Sequence, residues 1–125
     1  MSYFVVIRDA GPAWTHGKGA FEQPGVDKHA AFMNTLANDR IVLFAGPLAG
    51  TEHDRIRVLL MINAESEADI HHHLAADPWA QTQRLVTTSV EPWNLFVGAD
   101  WLAAAHAARN ENLSRPPQDV SSHPA

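Results

Sequence analysis

The sequence predicts an α+β domain of the ferredoxin-like kind, with four strands and two helices in the order βαββαβ. Two observations support this fold. Four runs rich in apolar and β-branched residues have the composition of strands, and two segments between them carry apolar residues at helical spacing. Two helices cover only one face of an antiparallel sheet, but several strand runs are apolar at consecutive positions. The second face is therefore expected to pack on another copy of the chain or on the carboxy-terminal segment.

The composition indicates one globular domain that does not bind nucleic acid. Of the 125 residues, 46% are hydrophobic and 18% are charged, which suits a single core. The formal charge is −5 without a basic cluster, which argues against contacts to phosphate backbones. The chain contains no cysteine, which excludes disulfides and thiolate chemistry. With no signal peptide pattern and no apolar run near the ~20 residues of a membrane span, we expect a cytoplasmic protein without a membrane partner.

The first strand and the loop after it come from the amino-terminal quarter of the chain. Residues 3–7 are apolar, aromatic and β-branched, and a charged pair follows them. The loop of residues 10–25 contains six glycines and prolines, and loops of this length are usually functional or disordered. Its Trp14 and Phe21 favour a segment that folds over a neighbour. A mobile surface loop with its aromatic rings against the domain edge is also compatible with the pattern.

The first helix is predicted over residues 26–37, and its inner face carries the first candidate for chemistry. At about 100° per residue, His29 shares one face with Met33 and Leu36. A titratable imidazole that faces a sheet can act in proton transfer. A single histidine in that position can equally be a core residue whose hydrogen bonds are satisfied.

The middle of the chain is predicted to form a hairpin and the second helix. Residues 41–45 are a continuous apolar run typical of a buried strand, and residues 55–62 form the next strand, joined to it as an antiparallel hairpin. Ser66 is expected to cap the second helix, because a serine oxygen accepts hydrogen bonds from first-turn N–H groups. This helix is expected to end before Pro78, because the residue before a proline avoids helical geometry.

Asp77 has two structural interpretations. At the carboxyl end of the second helix, its carboxylate would face the sheet against the preference of the helix dipole, which indicates a functional role. Alternatively, Asp77 followed by Pro78 is the pattern of an N-cap with proline at the first helical position, opening a short turn toward Gln83. These residues alone favour neither interpretation.

The chain is predicted to end with a fourth strand, a helix and a tail. Residues 86–97 have strand composition, and Pro92 implies an edge position or a bulge. We assign residues 1–98 to the α+β domain and residues 99–112 to an alanine-rich helix. Residues 113–125 contain too few apolar side chains to pack and are expected to be disordered.

The histidines give no strong signal of a metal site. The side chains of His71–His73 splay about 100° apart on a helix, whereas ligation on one helix needs an i, i+4 pair, so a solvated helix face is expected. A site drawn from His16, His29, His53 and Asp77 stays open, although none of these is at chelating spacing. The chain also lacks a glycine-rich phosphate loop and a nucleophile elbow. We therefore expect no metal and no cofactor.

The order of these features resembles the YciI-related family. A helix with an inner histidine is followed by an apolar strand that ends A-G-P-L at residues 45–48. The sequence D-P-W follows at residues 77–79, and S-V-E-P-W follows at residues 89–93. No single motif is highly specific, but the ordered combination covers about residues 1–97.

This resemblance implies a dimeric α+β barrel, in which two ferredoxin-like sheets pack face to face, and an active site formed by His29 and Asp77. One class of members eliminates chloride from a chlorinated hydroxyquinol. The chain departs from the family pattern at Val26, where members often have an arginine, and at residues 38–40, where a glycine is expected before the second strand.

The sequence therefore predicts a cofactor-free enzyme that transfers a proton on a small aromatic or enolisable molecule, in an elimination such as dehydrochlorination, an isomerisation or a cyclisation. His29 would move the proton while Asp77 fixes its tautomer. An aromatic wall and a cation for an acidic substrate are expected from Trp14, Phe21, Phe32, Trp79, Arg55 and Arg57. The alternative is a protein that binds a small ligand or acts as a scaffold without turnover. A homodimer is expected in either case.

Overall fold

The computed structural model of the protein describes residues 2–104. The chain divides into two units, Met1–Asn94 and Leu95–Ala125. The elements of the first unit are β1 (Ser2–Ala10), a 3₁₀ turn (Ala20–Glu22), α1 (Val26–Asn38), β2 (Val42–Pro47), β3 (Arg57–Ala64), α2 (Glu67–Ala75), α3 (Pro78–Gln81) and β4 (Leu85–Pro92). In the second unit residues 99–104 are helical. The rest of the predicted carboxy-terminal helix, residues 105–112, and the predicted tail, residues 113–125, lie outside the described residues.

The four strands form one antiparallel sheet in the order β2-β3-β1-β4. β1 is an inner strand that pairs with β3 on one side and β4 on the other. The helices α1 and α2 connect β1 to β2 and β3 to β4, which is the ferredoxin-like arrangement. The predicted fold class is therefore confirmed, and so is the antiparallel hairpin of β2 and β3.

Burial alternates along β1. Phe4, Val6, Arg8 and Ala10 are buried, whereas the residues between them are only partly buried. The strand continues past the predicted residues 3–7 because Arg8 does not end it. Its guanidinium is neutralised inside the protein by the carboxylate of Asp77, which allows a charged residue on the buried face.

Two clusters of buried side chains stabilise the domain. The larger cluster joins α1 and α2 to the sheet, where Leu36, Ile70 and Leu74 pack with Val6 and Leu60. The smaller cluster is built from the following residues: Ala10, Trp14, Ile56, Trp79 and Leu85. Because Trp14 is part of it, the long loop of residues 10–25 folds over the domain and contributes to its core.

The second face of the sheet carries apolar side chains, some of which this chain leaves exposed. The register places Phe44, the buried Met61 and Val5 side by side across β2, β3 and β1. Phe44 is 57% exposed and Leu59 is 39% exposed. The expectation that residues 41–45 form a buried strand is wrong for the single chain, because β2 lies at an edge and only its Val42 is buried.

The boundaries of the second half follow the local signals with small shifts. The Ser66 side chain accepts a hydrogen bond from the Asp69 N–H at 3.2 Å, which confirms the predicted cap of α2. β4 ends at Pro92 rather than at residue 97, and it is the second edge strand, as the proline indicated. Among the described residues no helix is long and apolar enough to cross a membrane. The cytoplasmic location stays a prediction.

Candidate active site

Asp77 is the N-cap of the short helix α3, so the second interpretation of the sequence is correct. Its Oδ1 accepts a hydrogen bond from the Trp79 backbone N–H at 2.9 Å, and Pro78 occupies the first turn. The residue before a proline is extended, which separates Asp77 from the end of α2. The side chain is completely buried. The cap therefore fixes the carboxylate in the interior of the domain.

A guanidinium and an imidazole from distant parts of the chain form hydrogen bonds with this carboxylate. The Arg8 Nη1 donates to Oδ2 at 2.7 Å. The His29 Nδ1 lies 2.9 Å from both carboxylate oxygens. Because an ionised carboxylate only accepts, Nδ1 carries the hydrogen, and Nε2 of a neutral ring is left as an acceptor.

The surroundings keep Asp77 ionised. Burial by itself would raise the pKa of this carboxyl, because it disfavours the charged form. The hydrogen bonds from His29, Arg8 and the Trp79 N–H, together with the charge of Arg8, outweigh burial and lower the pKa below its ordinary value. Asp77 is thus a fixed negative charge that orients its partners.

The imidazole of His29 is held on a second side by an indole ring. The rings of His29 and Trp79 are stacked, with centroids 4.0 Å apart and planes 7° from parallel. The Trp79 Nε1 donates to the Pro24 carbonyl at 2.9 Å, and the ring of Trp14 packs edge to face against the ring of Trp79. The His29 side chain is 18% exposed, and Nε2 bonds to none of residues 2–104. The histidine is thus oriented but keeps one free nitrogen.

His29 lies in the wall of a cavity of about 530 Å³ between α1, the sheet and two loops. Most of this wall is apolar, and it includes Ala20, Phe21, Val26, Met33, Leu60 and Trp79. The polar wall residues are Arg8, Glu22, His29, Asn34, Glu52 and His53. An apolar cavity with a few polar groups is typical of a site for a small organic molecule.

The structure brings some of the predicted site residues to this cavity and not others. Phe21, which is 92% exposed, and Trp79 belong to the wall. Trp14 is not in the wall and instead packs edge to face against Trp79, with ring centroids 5.6 Å apart. Phe32 packs against the larger core cluster, so its assignment to the wall is wrong.

The two arginines predicted as charge partners also lie elsewhere. The Arg55 Nη2 donates to the Ala10 carbonyl at 3.2 Å. The Arg57 Nε pairs with Asp9 at 3.3 Å, and alternation along β3 turns this arginine away from the helices. Both assignments are therefore corrected, since neither residue belongs to the cavity wall.

Arg8 is the cation of the site, in place of the predicted Arg55 and Arg57. A signal was present, because Phe4, Val6 and Arg8 are at two-residue spacing and so share one face of a strand. The charged pair at residues 8 and 9 instead favours a strand that ends at residue 7. Val26 and Arg8 both lie in the cavity wall, where β1 supplies the cation and the helix position is apolar.

Of the other described histidines, His53 belongs to the cavity wall, whereas His16 and His71–His73 do not. His71 pairs with Glu67 at 3.3 Å on the half-exposed surface of α2. His16 contacts Asp54 at 3.4 Å and His53 contacts Glu52 at 3.5 Å, and both rings are mostly exposed. Within residues 2–104 no group of three or more His, Asp or Glu side chains is placed to hold a metal ion.

Fold and site together define a ferredoxin-like α+β domain with a buried carboxylate that orients an imidazole at an apolar cavity. A solved structure is similar to this chain: the 5-chloro-2-hydroxyhydroquinone dehydrochlorinase TftG from Burkholderia phenoliruptrix, in complex with 2,5-dihydroxybenzoquinone. The two sequences are 26% identical, the match covers 74% of this chain and 93% of that one, and the TM-score is 0.53. No family model and no curated protein sequence matches the chain. The fold is that of the α+β barrel superfamily.

Proposed function

We propose that this protein is a small-molecule enzyme in which His29, oriented by Asp77, transfers a proton of an aromatic or enolisable substrate. The observation that carries the proposal is the 2.9 Å contact between the His29 Nδ1 and a fully buried carboxylate, at the wall of a cavity. General bases of this kind need a fixed tautomer and a free nitrogen within reach of the substrate.

The reaction follows from the two ring nitrogens. The lone pair of Nε2 takes a proton from an acidic O–H or C–H bond, and the electron pair of that bond enters the π system of the substrate. In an elimination, the leaving group departs with the electron pair of its own bond. The charge of Asp77 stabilises the imidazolium, which then returns the proton to solvent, or to another atom of the substrate in an isomerisation. This sequence uses no cofactor.

The similar structure supports chemistry on ring compounds. The dehydrochlorinase acts on a chlorinated hydroxyhydroquinone, and the match covers 93% of its chain. A dehydrochlorination is an elimination that removes one proton and one chloride, which a single base can assist. The substrate proposed here is accordingly a hydroxylated ring or a related enolisable molecule.

The proposal includes a homodimer. The outer face of the sheet carries the exposed side chains of Phe44 and Leu59, and exposed apolar patches on the order of several hundred Å² are usually interaction surfaces. At roughly 25 cal/mol per Å², burying such a patch contributes several kcal/mol before the cost of association. Two copies that pack these faces together would form the dimeric barrel implied by the sequence resemblance.

A second candidate is a homodimer that binds a small ligand without turnover. It is favoured by Val26, which stands in the cavity wall where the resembling family often has an arginine. Both candidates use the cavity, so ligand binding alone does not distinguish them. The difference is turnover that depends on His29.

The test is a screen of chlorinated hydroxyquinols, hydroxyquinones and lactones, in which turnover is measured by the change in absorbance and by the release of chloride. His29→Asn is compared with His71→Asn, a matched histidine variant outside the cavity. General acid–base catalysis contributes about 10²- to 10⁴-fold, so His29→Asn is expected to lose at least about 100-fold while His71→Asn keeps wild-type turnover. Equal loss in both variants, or none in His29→Asn, would reject the role of His29. Binding without turnover of every compound would favour the second candidate.

A further inference from the structure

We propose that Arg8 binds the acidic oxygen of the substrate, so that the cavity selects anionic ring compounds over neutral ones of the same shape. This inference deepens the proposed function, because it names the substrate class of the same site. It concerns binding rather than proton transfer, so it can be measured without any turnover.

The guanidinium of Arg8 has more donors than the protein uses. The side chain is 1% exposed, and its Nη1 donates to Asp77. Its Nε and Nη2 are closed to solvent and have no hydrogen-bond partner among residues 2–104. Buried donors in native proteins are nearly always paired, because an unpaired one costs free energy. The two free nitrogens therefore indicate a missing acceptor.

The cavity is the place from which that acceptor can come. Arg8 belongs to its wall, together with His29. Both side chains contact the same carboxylate, at 2.7 Å and 2.9 Å, so the guanidinium and the imidazole are neighbours. A compact molecule that presents a proton to His29 can thus place one of its oxygens against Arg8.

The free donors and the charges of the wall together direct an anionic oxygen toward Arg8. Asp77 balances the charge of Arg8, but Nε and Nη2 are left as donors. Glu22 and Glu52 bring negative charge from the two loops of the wall. An anionic oxygen would be repelled by those loops and attracted to the guanidinium, which forms stronger hydrogen bonds to charged acceptors than to neutral ones.

The carboxylate of Glu52 defines a second feature of the ligand. Its Oε2 is buried and accepts no hydrogen bond from residues 2–104. An acceptor in the cavity wall is satisfied by a hydroxyl group of the ligand. The class that fits is therefore a small ring with one acidic oxygen toward Arg8 and one hydroxyl group toward Glu52.

Isothermal titration calorimetry with two unreactive probes tests the inference. One probe is 2,5-dihydroxybenzoquinone, an anion near neutral pH because its hydroxyl groups are conjugated to carbonyls. The other is 2,5-dimethoxybenzoquinone, a neutral analogue. We expect wild type to bind the anion at least about 10-fold more tightly, the size of one charge-assisted hydrogen bond. Arg8→Gln should lose about 10-fold in affinity for the anion and less than about 3-fold for the neutral probe. The control Arg57→Gln should match wild type.

Two results would overturn the role of Arg8. One is equal affinity of wild type for both probes, and the other is an equal loss for both probes in Arg8→Gln. Circular dichroism checks the fold of each variant. If Arg8→Gln does not fold, Arg8→Lys decides, because lysine keeps the charge beside Asp77 but loses the planar fork and should show a smaller preference for the anion than wild type. A screen that finds no turnover would leave a measured anion preference intact, so the two proposals fail separately.

Discussion

Replacing Asp77 by asparagine is expected to destabilise the domain by about 3–5 kcal/mol, the usual cost of removing one partner of a buried ion pair. The amide keeps nearly the same shape, and asparagine is as good an N-cap as aspartate, so the hydrogen bond from the Trp79 N–H can persist. What is lost is the charge opposite Arg8, whose side chain is 1% exposed. The expected loss is a large part of the ~5–15 kcal/mol that stabilises a typical domain.

Urea unfolding followed by tryptophan fluorescence measures this loss, with Asp9→Asn as the matched control. Asp9 pairs with Arg57 at 3.3 Å on the surface, where the arginine is 55% exposed. Exposed ion pairs contribute about 0–1 kcal/mol, so the control should lose little stability. If Asp77→Asn is no less stable than Asp9→Asn, the carboxylate does not neutralise a buried charge, and Arg8 and Asp77 do not form the buried ion pair of this site.

The pH dependence of the unfolding free energy of wild type and of Asp77→Asn provides an independent check, and the direction of the effect can be predicted. The folded state lowers the pKa of Asp77 below the value of about 3.9 typical of unfolded chains. Between these two pKa values the unfolded chain binds more protons than the folded one, so stability rises with pH. The contribution of the carboxylate is present above about pH 4 and is lost as the pH falls through the folded pKa. The gap between wild type and Asp77→Asn should therefore narrow in acid, and a constant gap would contradict the assignment.

Two further predictions concern packing and assembly. Gly11→Ala should cost about 1–3 kcal/mol, because the added methyl group would overlap the backbone carbonyl of Gln83, whereas Gly46→Ala meets no atom and should be nearly neutral in thermal unfolding. Phe44→Asp should convert a dimer into a species near 13.7 kDa in light scattering, while Phe21→Asp, at a still more exposed phenylalanine off the outer sheet face, should not. A wild-type mass near that of one chain would refute the dimer.

Much of the fold could be predicted from the sequence, because helices, strands and caps are encoded by neighbouring residues. Helical spacing placed His29 on the inner face of α1, and the Ser66 cap is a contact over three residues. Pro92 indicated an edge strand, since proline cannot donate to a neighbouring strand. Even Arg8 could have been assigned to the buried face from the alternation of β1.

The site depended on contacts that no local pattern specifies. Asp77 is 69 residues from Arg8 and 48 from His29 along the sequence. The three side chains come into contact only when the sheet places β1 beside the helices. The local sequence left Asp77 with two interpretations, and burial together with its long-range partners decided what the carboxylate does. Residues 41–45 show the same limit. An apolar run can have the same composition in a buried inner strand and in an edge strand whose side chains are exposed in the single chain. Periodicity in the sequence determines which face a side chain takes, whereas the order of strands and the pairing of buried charges determine what lies opposite that face, and these come from the tertiary structure alone.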